Sequence, residues 1–155
     1  MKNLLFVLFF IFSNLFCKAH DTLKISKYIY LLKLSETTFI HVSWHSDEIW
    51  GKFTCNGMVV IKAGEAALFD TPMSDSLTRK LIYFIEDSLK AEIKYFVPNH
   101  FHSDCTEGID IIESLGATII SSQKTKELSS LNNIITASKT FTDTMTIDLS
   151  GKKIM

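Results

Sequence analysis

Six consecutive positions of the chain bring together two imidazoles, a carboxylate and a thiol, carried by His100, His102, Asp104 and Cys105. Neutral imidazole and carboxylate are ligands that Zn²⁺ takes in hydrolytic sites, where one coordination position stays open for water. In an extended backbone, the side chains of His100, His102 and Asp104 would all point to the same side. The spacing therefore predicts a site for one metal ion or two neighbouring ions. The alternative is a His-x-His pair that arose by chance in a loop.

An apolar run leads into this segment. Residues 93–97 predict a buried strand, and Pro98 prevents that strand from continuing in a hydrogen-bonded ladder. The histidines should therefore lie in a loop at the end of a strand.

The rest of the pattern supplies the elements around that strand. We predict two or three strands in residues 23–44, a hairpin over residues 57–69 with its turn at residues 63–65, a helix that begins at Ser74 or Asp75, a helix over residues 108–115 that stops at Gly116, a strand over residues 118–121, a short helix near residues 124–128, and a strand over residues 140–149. Strands that alternate with helices after an initial run of strands indicate a sheet covered by helices on one face.

The segment 100–104, His-Phe-His-Ser-Asp, resembles the His-x-His-x-Asp signature of the metallo-β-lactamase superfamily. Most branches place a further His after the Asp, but here Cys105 stands there, which resembles the class B β-lactamases whose second zinc is held by Asp, Cys and His. Residues 56–60, 68–72 and 116–117 resemble the same subclass, and the likeness runs from about residue 23 to the end. Glu107 departs from the pattern, because a Gly usually stands there.

The resemblance implies an α+β fold, a four-layer αβ/βα sandwich with two zinc ions at the edge between two sheets. By this likeness His100 and His102 hold the first ion, and Asp104 is the catalytic residue that holds the second ion and orients the nucleophile. The implied activity of the full-length protein is zinc-dependent hydrolysis of the β-lactam ring of antibiotics. A zinc hydrolase of the same superfamily that acts on thioesters or lactones, and a non-catalytic polypeptide, are the alternatives.

Two further residues are candidates for the surroundings of the metal ligands. Asp70 is expected to accept a hydrogen bond from one of the imidazoles, because metal-bound histidines usually donate their other N–H to a carboxylate or carbonyl. The alternative for Asp70 is a turn before Thr71 and Pro72. Cys105 is expected beside the ligands, as a supporting group or an additional soft ligand.

A polar and aromatic loop is predicted over residues 44–52, with Trp50 near its tip. In the family that the chain resembles, the loop at this place is a flap that closes over the substrate. Trp50 either serves in such a flap or folds back onto the sheet. His41 and His45 share one face of a strand, and Cys55 lies further along the chain; we predict structural roles for all three and free thiols at Cys55 and Cys105.

The first 19 residues predict a secretory signal peptide. Lys2 is followed by an apolar run over residues 4–12, and the small residue Ala19 precedes a polar stretch. A lipid anchor at Cys17 is the alternative. Cleavage after Ala19 would place the protein in the periplasm without a membrane attachment, and we expect a monomer.

The charge balance argues against a nucleic-acid partner. Without the first 19 residues, the chain has 14 basic and 17 acidic residues, a net charge of −3. No basic run or patch interleaved with aromatic residues offers a footprint for phosphates. We therefore exclude nucleic acid and expect a small β-lactam molecule as the partner.

The chain contains no His and no Cys after Cys105. Three of the six zinc ligands that the resemblance implies therefore have no counterpart. We expect residues 20–155 to form a C-terminally truncated metallo-β-lactamase domain, the first half of the sandwich and the start of the second. Expressed alone, these residues are expected to be poorly soluble or partly disordered, to bind zinc weakly and to hydrolyse no β-lactam above background.

Overall fold

The structure is a computed structural model that describes residues 21–134 and 137–155. Within these residues, eight strands form one mixed sheet in chain order: β1 (Thr22–Lys24), β2 (Ile29–Ser35), β3 (Thr38–Asp47), β4 (Gly51–Lys62), β5 (Glu65–Phe69), β6 (Glu92–Val97), β7 (Thr118–Ser122) and β8 (Lys139–Phe141). Strands β1 to β5 are antiparallel, and β5 to β8 are parallel. The predicted signal peptide, residues 1–19, lies outside the described residues.

The antiparallel half of the sheet is built from hairpins, and one of them was predicted. Ala63 and Gly64 form the turn between β4 and β5, and both have positive φ angles, 50° and 80°. A two-residue turn with positive φ at both positions matches the twist of the strands on either side of it. The predicted hairpin over residues 57–69 is therefore confirmed.

The predicted loop over residues 44–52 is wrong, because β3 and β4 remain paired until Asp47 lies opposite Gly51. Only residues 48–50 form the turn. The Asp47 carboxylate closes it by accepting hydrogen bonds from the backbone N–H groups of Ile49 and Trp50, at 2.8 and 2.6 Å. Asp side chains that bond to nearby backbone in this way replace part of a backbone turn.

Four helices lie among the described residues: α1 (Asp75–Tyr83), α2 (Ser103–Thr106), α3 (Ile109–Ser114) and α4 (Gln123–Leu131). Helix α1 begins after Ser74, whose hydroxyl accepts a hydrogen bond from the Leu77 N–H at 3.5 Å, which confirms the predicted start. A π-helical turn, Phe84–Ser88, extends α1. Helix α3 stops before Gly116, whose φ of 76° suits the residue that ends a helix.

The predicted strand over residues 140–149 is also wrong. It divides into β8, which pairs with β7, and β9 (Ile147–Leu149), which pairs with β10 (Lys152–Ile154) in a separate antiparallel ribbon. Residues 142–146 cross from one sheet to the other and are not a strand. Period-2 alternation does not show that a strand changes its partner, so the two strands were predicted as one.

The two faces of the large sheet carry different partners. Leu68 and Phe96 belong to the main core cluster, together with Leu81 of α1 and Ile112 of α3. A smaller cluster on the other face joins Val60 and Ala67 of the sheet to Leu149 of β9. Helices therefore cover one face, as predicted, and the β9–β10 ribbon packs on the other. Among the described residues, no helix combines the length and apolar character that crossing a membrane requires.

Candidate metal site

The metal-ligand candidates lie where β6 ends and α2 begins. Asp104 occupies the first turn of α2, after an N-cap residue, His102, with extended backbone angles. The helical turn brings the Asp104 carboxylate back to within 3.2 Å of His100 Nε2, an i to i+4 contact. The prediction that an extended backbone aligns these side chains is therefore wrong. His100 and Asp104 meet because the chain turns after His102.

A group of three donors could hold a metal ion here. One ligand atom each from His100, Asp104 and Cys105 can be chosen so that all lie within 4.8 Å of one another. The Cys105 sulfur also lies 3.2 Å from His100 Nδ1. Nitrogen, carboxylate oxygen and sulfur are the donor types that zinc binds in proteins, so these residues fit that ion.

His102 lies beside this group but not in it. Its exposed ring stands at 85° to the His100 ring, with 4.8 Å between the ring centroids. The structure thus brings together His100 and Asp104, two of the three predicted ligands. It also places Cys105 among the donors. From the sequence, Cys105 was expected to be either a supporting group or an additional ligand.

Asp70 holds the start of the metal loop. Its carboxylate accepts hydrogen bonds from the Asn99 backbone N–H at 2.7 Å and from the Asn99 side-chain amide at 2.9 Å. Asp70 is 3% exposed and has a φ of 58°, so its side chain is fixed in the interior directly after β5. The contact to the loop therefore runs through Asn99, the neighbour of His100, where an imidazole was expected.

Thr71 holds the other end of the loop, a role that was not predicted from the sequence. Its N–H and its hydroxyl both donate to the Cys105 carbonyl, at 3.0 and 3.3 Å. The Thr71 hydroxyl in turn accepts the N–H of Gly108 at 3.1 Å. The pair Asp70–Thr71 at the end of β5 thus fixes the loop on both sides of His100. The polar residues after an apolar strand were the signal available for Thr71.

The Cys105 thiol has a raised pKa. Burial is the main cause, and the charge and hydrogen bond of Asp70 and the charge of Asp104 add to it. The side chain is only 5% exposed. The thiol is therefore protonated at neutral pH, and its use as a metal ligand requires the release of that proton to solvent.

A cleft of about 660 Å³ opens beside the donors. The β3–β4 hairpin supplies one wall, with Trp50, Phe53 and Cys55, and the metal loop supplies Ser103 and Asp104. Trp50 is 78% exposed, so its side chain does not pack back on the sheet, and its role in a flap stays a prediction. Cys55 and Cys105 are both buried free thiols, as predicted.

His41 has a structural place behind the loop. It is fully buried, and its Nε2 lies 3.1 Å from the Asp70 carbonyl oxygen. Gly57 leaves room for the ring, because a Cβ at that position would overlap both the imidazole and the Phe69 carbonyl. Burial lowers the pKa of His41, although hydrogen bonds to the backbone of Asp70 and Phe69 oppose this. A neutral imidazole therefore supports the backbone at Asp70.

Comparison with known proteins gives two curated relatives and a solved structure. The chain is 36% identical over 133 residues to the metallo-beta-lactamase type 2 of Bacteroides fragilis. The aligned region covers 86% of this chain and 53% of that protein. The chain is also 36% identical over 112 residues to the metallo-beta-lactamase type 2 of Pseudomonas aeruginosa, 72% of this chain and 45% of that protein. The structure of a metallo-beta-lactamase from Pontibacter korlensis superposes with a TM-score of 0.74 at 26% identity, over 81% of this chain and 58% of that one. No protein-family model matches the chain.

The fold is therefore the α+β fold of the metallo-β-lactamases. The chain belongs to the class B metallo-β-lactamase family, as the signature at residues 100–104 indicated. It spans about half the length of the curated relatives that it matches.

Proposed function

We propose that the protein carrying this chain is a zinc-dependent hydrolase that opens the β-lactam ring. The observation that carries the proposal is the group of His100, Asp104 and Cys105 at the edge of a substrate-sized cleft, in a chain whose curated relatives are named metallo-beta-lactamases. Clefts of a few hundred cubic ångströms are typical of small-molecule sites.

His100, Asp104 and Cys105 are the residues that would hold zinc, with His102 close enough to join a neighbouring ion. When bound, zinc supplies a Lewis acid for the lactam carbonyl and lowers the pKa of water to about 7. An imidazole offers a single ion only one of its nitrogens. His100 would therefore keep one of its present contacts, to Asp104 or to Cys105, and exchange the other for the ion.

The chain's own residues position these donors. Asp70 and Thr71 hold the backbone on both sides of His100, and both are buried, so the loop has little freedom to move. Catalytic groups must be held within a fraction of an ångström of their working geometry, which such supports provide. The Asp104 carboxylate lines the cleft and would orient the attacking water by accepting its hydrogen bond.

The hairpin would hold the apolar part of the substrate. Trp50 and Phe53 face the cleft from one side, and Met73 lines it as well. An indole ring over a bound lactam excludes water from the reacting carbonyl, where a lower local dielectric strengthens electrostatic interactions.

Hydrolysis assays test the proposal in the protein that carries this chain. We expect chromogenic cephalosporin turnover that is abolished by a chelator and restored by added zinc. Asp104→Asn should reduce turnover to background, while Asp143→Asn, the same change at an exposed loop position, should leave it unchanged. Turnover that survives chelation would contradict the proposal. Turnover of a thioester or lactone without any β-lactam hydrolysis would keep the zinc hydrolase but replace its substrate.

We also propose export to the periplasm, with residues 1–19 as the signal peptide and residues 20–155 as part of the mature monomeric protein. Amino-terminal sequencing of the exported protein should begin at His20. A lipid-modified Cys17 at the terminus would contradict this.

A further inference from the structure

A second cleft, of about 400 Å³, lies between the β3–β4 hairpin and the start of α1. Trp44, Ser46 and Lys52 line it from the hairpin, and Leu77 and Lys80 line it from the helix. Ser46 and Lys52 are paired directly across the two strands, so their side chains share one face of the hairpin. None of the residues that line the first cleft belongs to this set.

The charge of this second cleft is positive. Lys52 and Lys80 are its charged residues, and none of the described residues that line it is acidic. The positive charges of Lys52 and Lys80 both reach the Tyr28 phenol. The pKa of Tyr28 is lowered mainly by Lys27, and Lys52 and Lys80 lower it further. Asp75 stands in the first turn of α1 but outside the lining. A small anion would therefore meet two cations in the cleft.

The walls of the cleft are aromatic and apolar. The Trp44 ring is 37% exposed and carries the Lys52 ammonium 4.6 Å from its centroid. Tyr28 is 45% exposed, and the Leu77 side chain forms part of the wall from the helix. Large aromatic faces of this kind stack on flat ligands, and a cation above such a ring stays available to an anion.

Hydroxyl groups line the cleft as well. Ser46 contributes one from the hairpin, and Ser76 contributes one from α1. A hydroxyl can donate one hydrogen bond, so both side chains can pair with an anion.

We propose that this second cleft binds a small aromatic carboxylate. The carboxylate lies between Lys52 and Lys80, and the ring stacks on Trp44. The hydroxyls of Ser46 and Ser76 complete the hydrogen bonds of the ligand. The site contains none of the metal-donor candidates and shares no lining residue with the first cleft.

Fluorescence of Trp44 tests the proposal. The printed sequence has two tryptophans, Trp44 and Trp50, and the signal of Trp44 is the emission change that Trp50→Phe keeps and Trp44→Phe removes. Chelator is present throughout, which keeps metal binding out of the measurement. We expect benzoate to change the Trp44 emission in a saturable manner and benzamide, its neutral analogue, to bind at least about tenfold more weakly. The benzoate affinity should fall as salt rises, because the lysines are exposed to solvent.

Charge variants give the decisive comparison. Lys52→Gln and Lys80→Gln should each weaken benzoate binding, and together they should weaken it at least about tenfold. Lys62→Gln, the same change at an exposed position of β4 outside the cleft, should have no effect. Equal affinity for benzoate and benzamide, or unchanged affinity in the double variant, would overturn the proposal. Binding of inorganic phosphate without binding of benzoate would overturn the aromatic class of ligand.

Discussion

The Asp70 carboxylate holds Asn99 through both of its oxygens, one on the backbone N–H at 2.7 Å and the other on the side-chain amide at 2.9 Å. These two residues are 29 positions apart, and Asn99 directly precedes His100. The position of the metal-ligand candidate is therefore fixed from the end of β5, by a buried residue that lies outside the group of candidate metal donors.

Asp70→Asn should weaken metal binding without removing a donor. The amide keeps one acceptor oxygen and tolerates the positive φ of this position, but its NH₂ group would face a second donor. We expect the zinc affinity to fall about 10- to 100-fold, as it does when groups that support metal ligands are changed. The free energy of unfolding should fall by about 1.5–3 kcal/mol. Competition with a chelating dye measures the first effect, and urea unfolding of the metal-free protein measures the second. Unchanged zinc affinity would show that Asp70 does not position the loop.

Cys105→Ser tests whether the Cys105 sulfur binds the metal ion or only lies beside the metal ligands. If the Cys105 sulfur binds the ion, the cobalt-substituted protein shows thiolate-to-cobalt absorption in the near ultraviolet, and Ser removes it together with most of the affinity. Cys55→Ser is the matched control, since Cys55 is also buried and free but lies outside the donor group. We expect the band to persist in Cys55→Ser. A band that survives in Cys105→Ser would assign Cys105 to a supporting role.

Protonation of His41 should lower stability in mild acid. Burial holds the pKa of His41 below its value of about 6.5 in an unfolded chain. Between these two pKa values the unfolded chain binds more protons than the folded chain, so the free energy of unfolding decreases as the pH falls. The loss begins near pH 6.5 and reaches at most about 1.4 kcal/mol per pH unit. Urea unfolding of the metal-free protein from pH 7.5 to 5.5 measures it.

His41→Gln is the control for this pH dependence. The variant should be less stable at pH 7.5 but should have a flatter pH profile, because the titrating ring is gone. Parallel profiles for the two proteins would show that His41 is not the group responsible.

Gly57→Ala should be among the most destabilising substitutions in the sheet. A methyl group there overlaps the buried His41 ring and the Phe69 carbonyl, and neither can move without disturbing Asp70. We expect a loss of about 3 kcal/mol or more. Gly51→Ala is the comparison, because its φ is +66° but no atom of the described residues lies within 4 Å of the added methyl. Its cost should be only about 1–2 kcal/mol, from the backbone alone. Equal thermal shifts would contradict the steric argument.

Trp50→Ala should alter substrate binding but not stability. The side chain is 78% exposed, so its removal should change the free energy of unfolding by no more than about 0.5 kcal/mol. Loss of the indole from the cleft should raise KM for a β-lactam more than it lowers kcat. Leu131→Ala, at a position 79% exposed at the end of α4, should change neither. An unchanged KM in Trp50→Ala would remove Trp50 from the substrate wall.

Local patterns in the sequence determined most of the secondary structure. The turn at Ala63 and Gly64, the cap at Ser74 and the stop at Gly116 depend on the preferences of single residues, which act wherever the chain goes. The residue types of the metal segment also indicated its chemistry and the family. The alternation of apolar and polar residues, in contrast, did not predict how far the β3–β4 hairpin extends. The Asp47 side chain, and not the hydrophobic pattern, ends this hairpin.

Only the tertiary structure decided which donors meet. The residue types His, His, Asp and Cys are compatible with an extended loop and with a helical turn. The two conformations bring different sets of donor side chains together. Thr71 holds the Cys105 carbonyl from 34 positions away, and Asp70 holds Asn99 from 29. These bonds favour the turn that brings Asp104 and Cys105 to His100. Contacts between residues so far apart in the chain depend on the parallel pairing of β5 with β6, and no short-range preference encodes them.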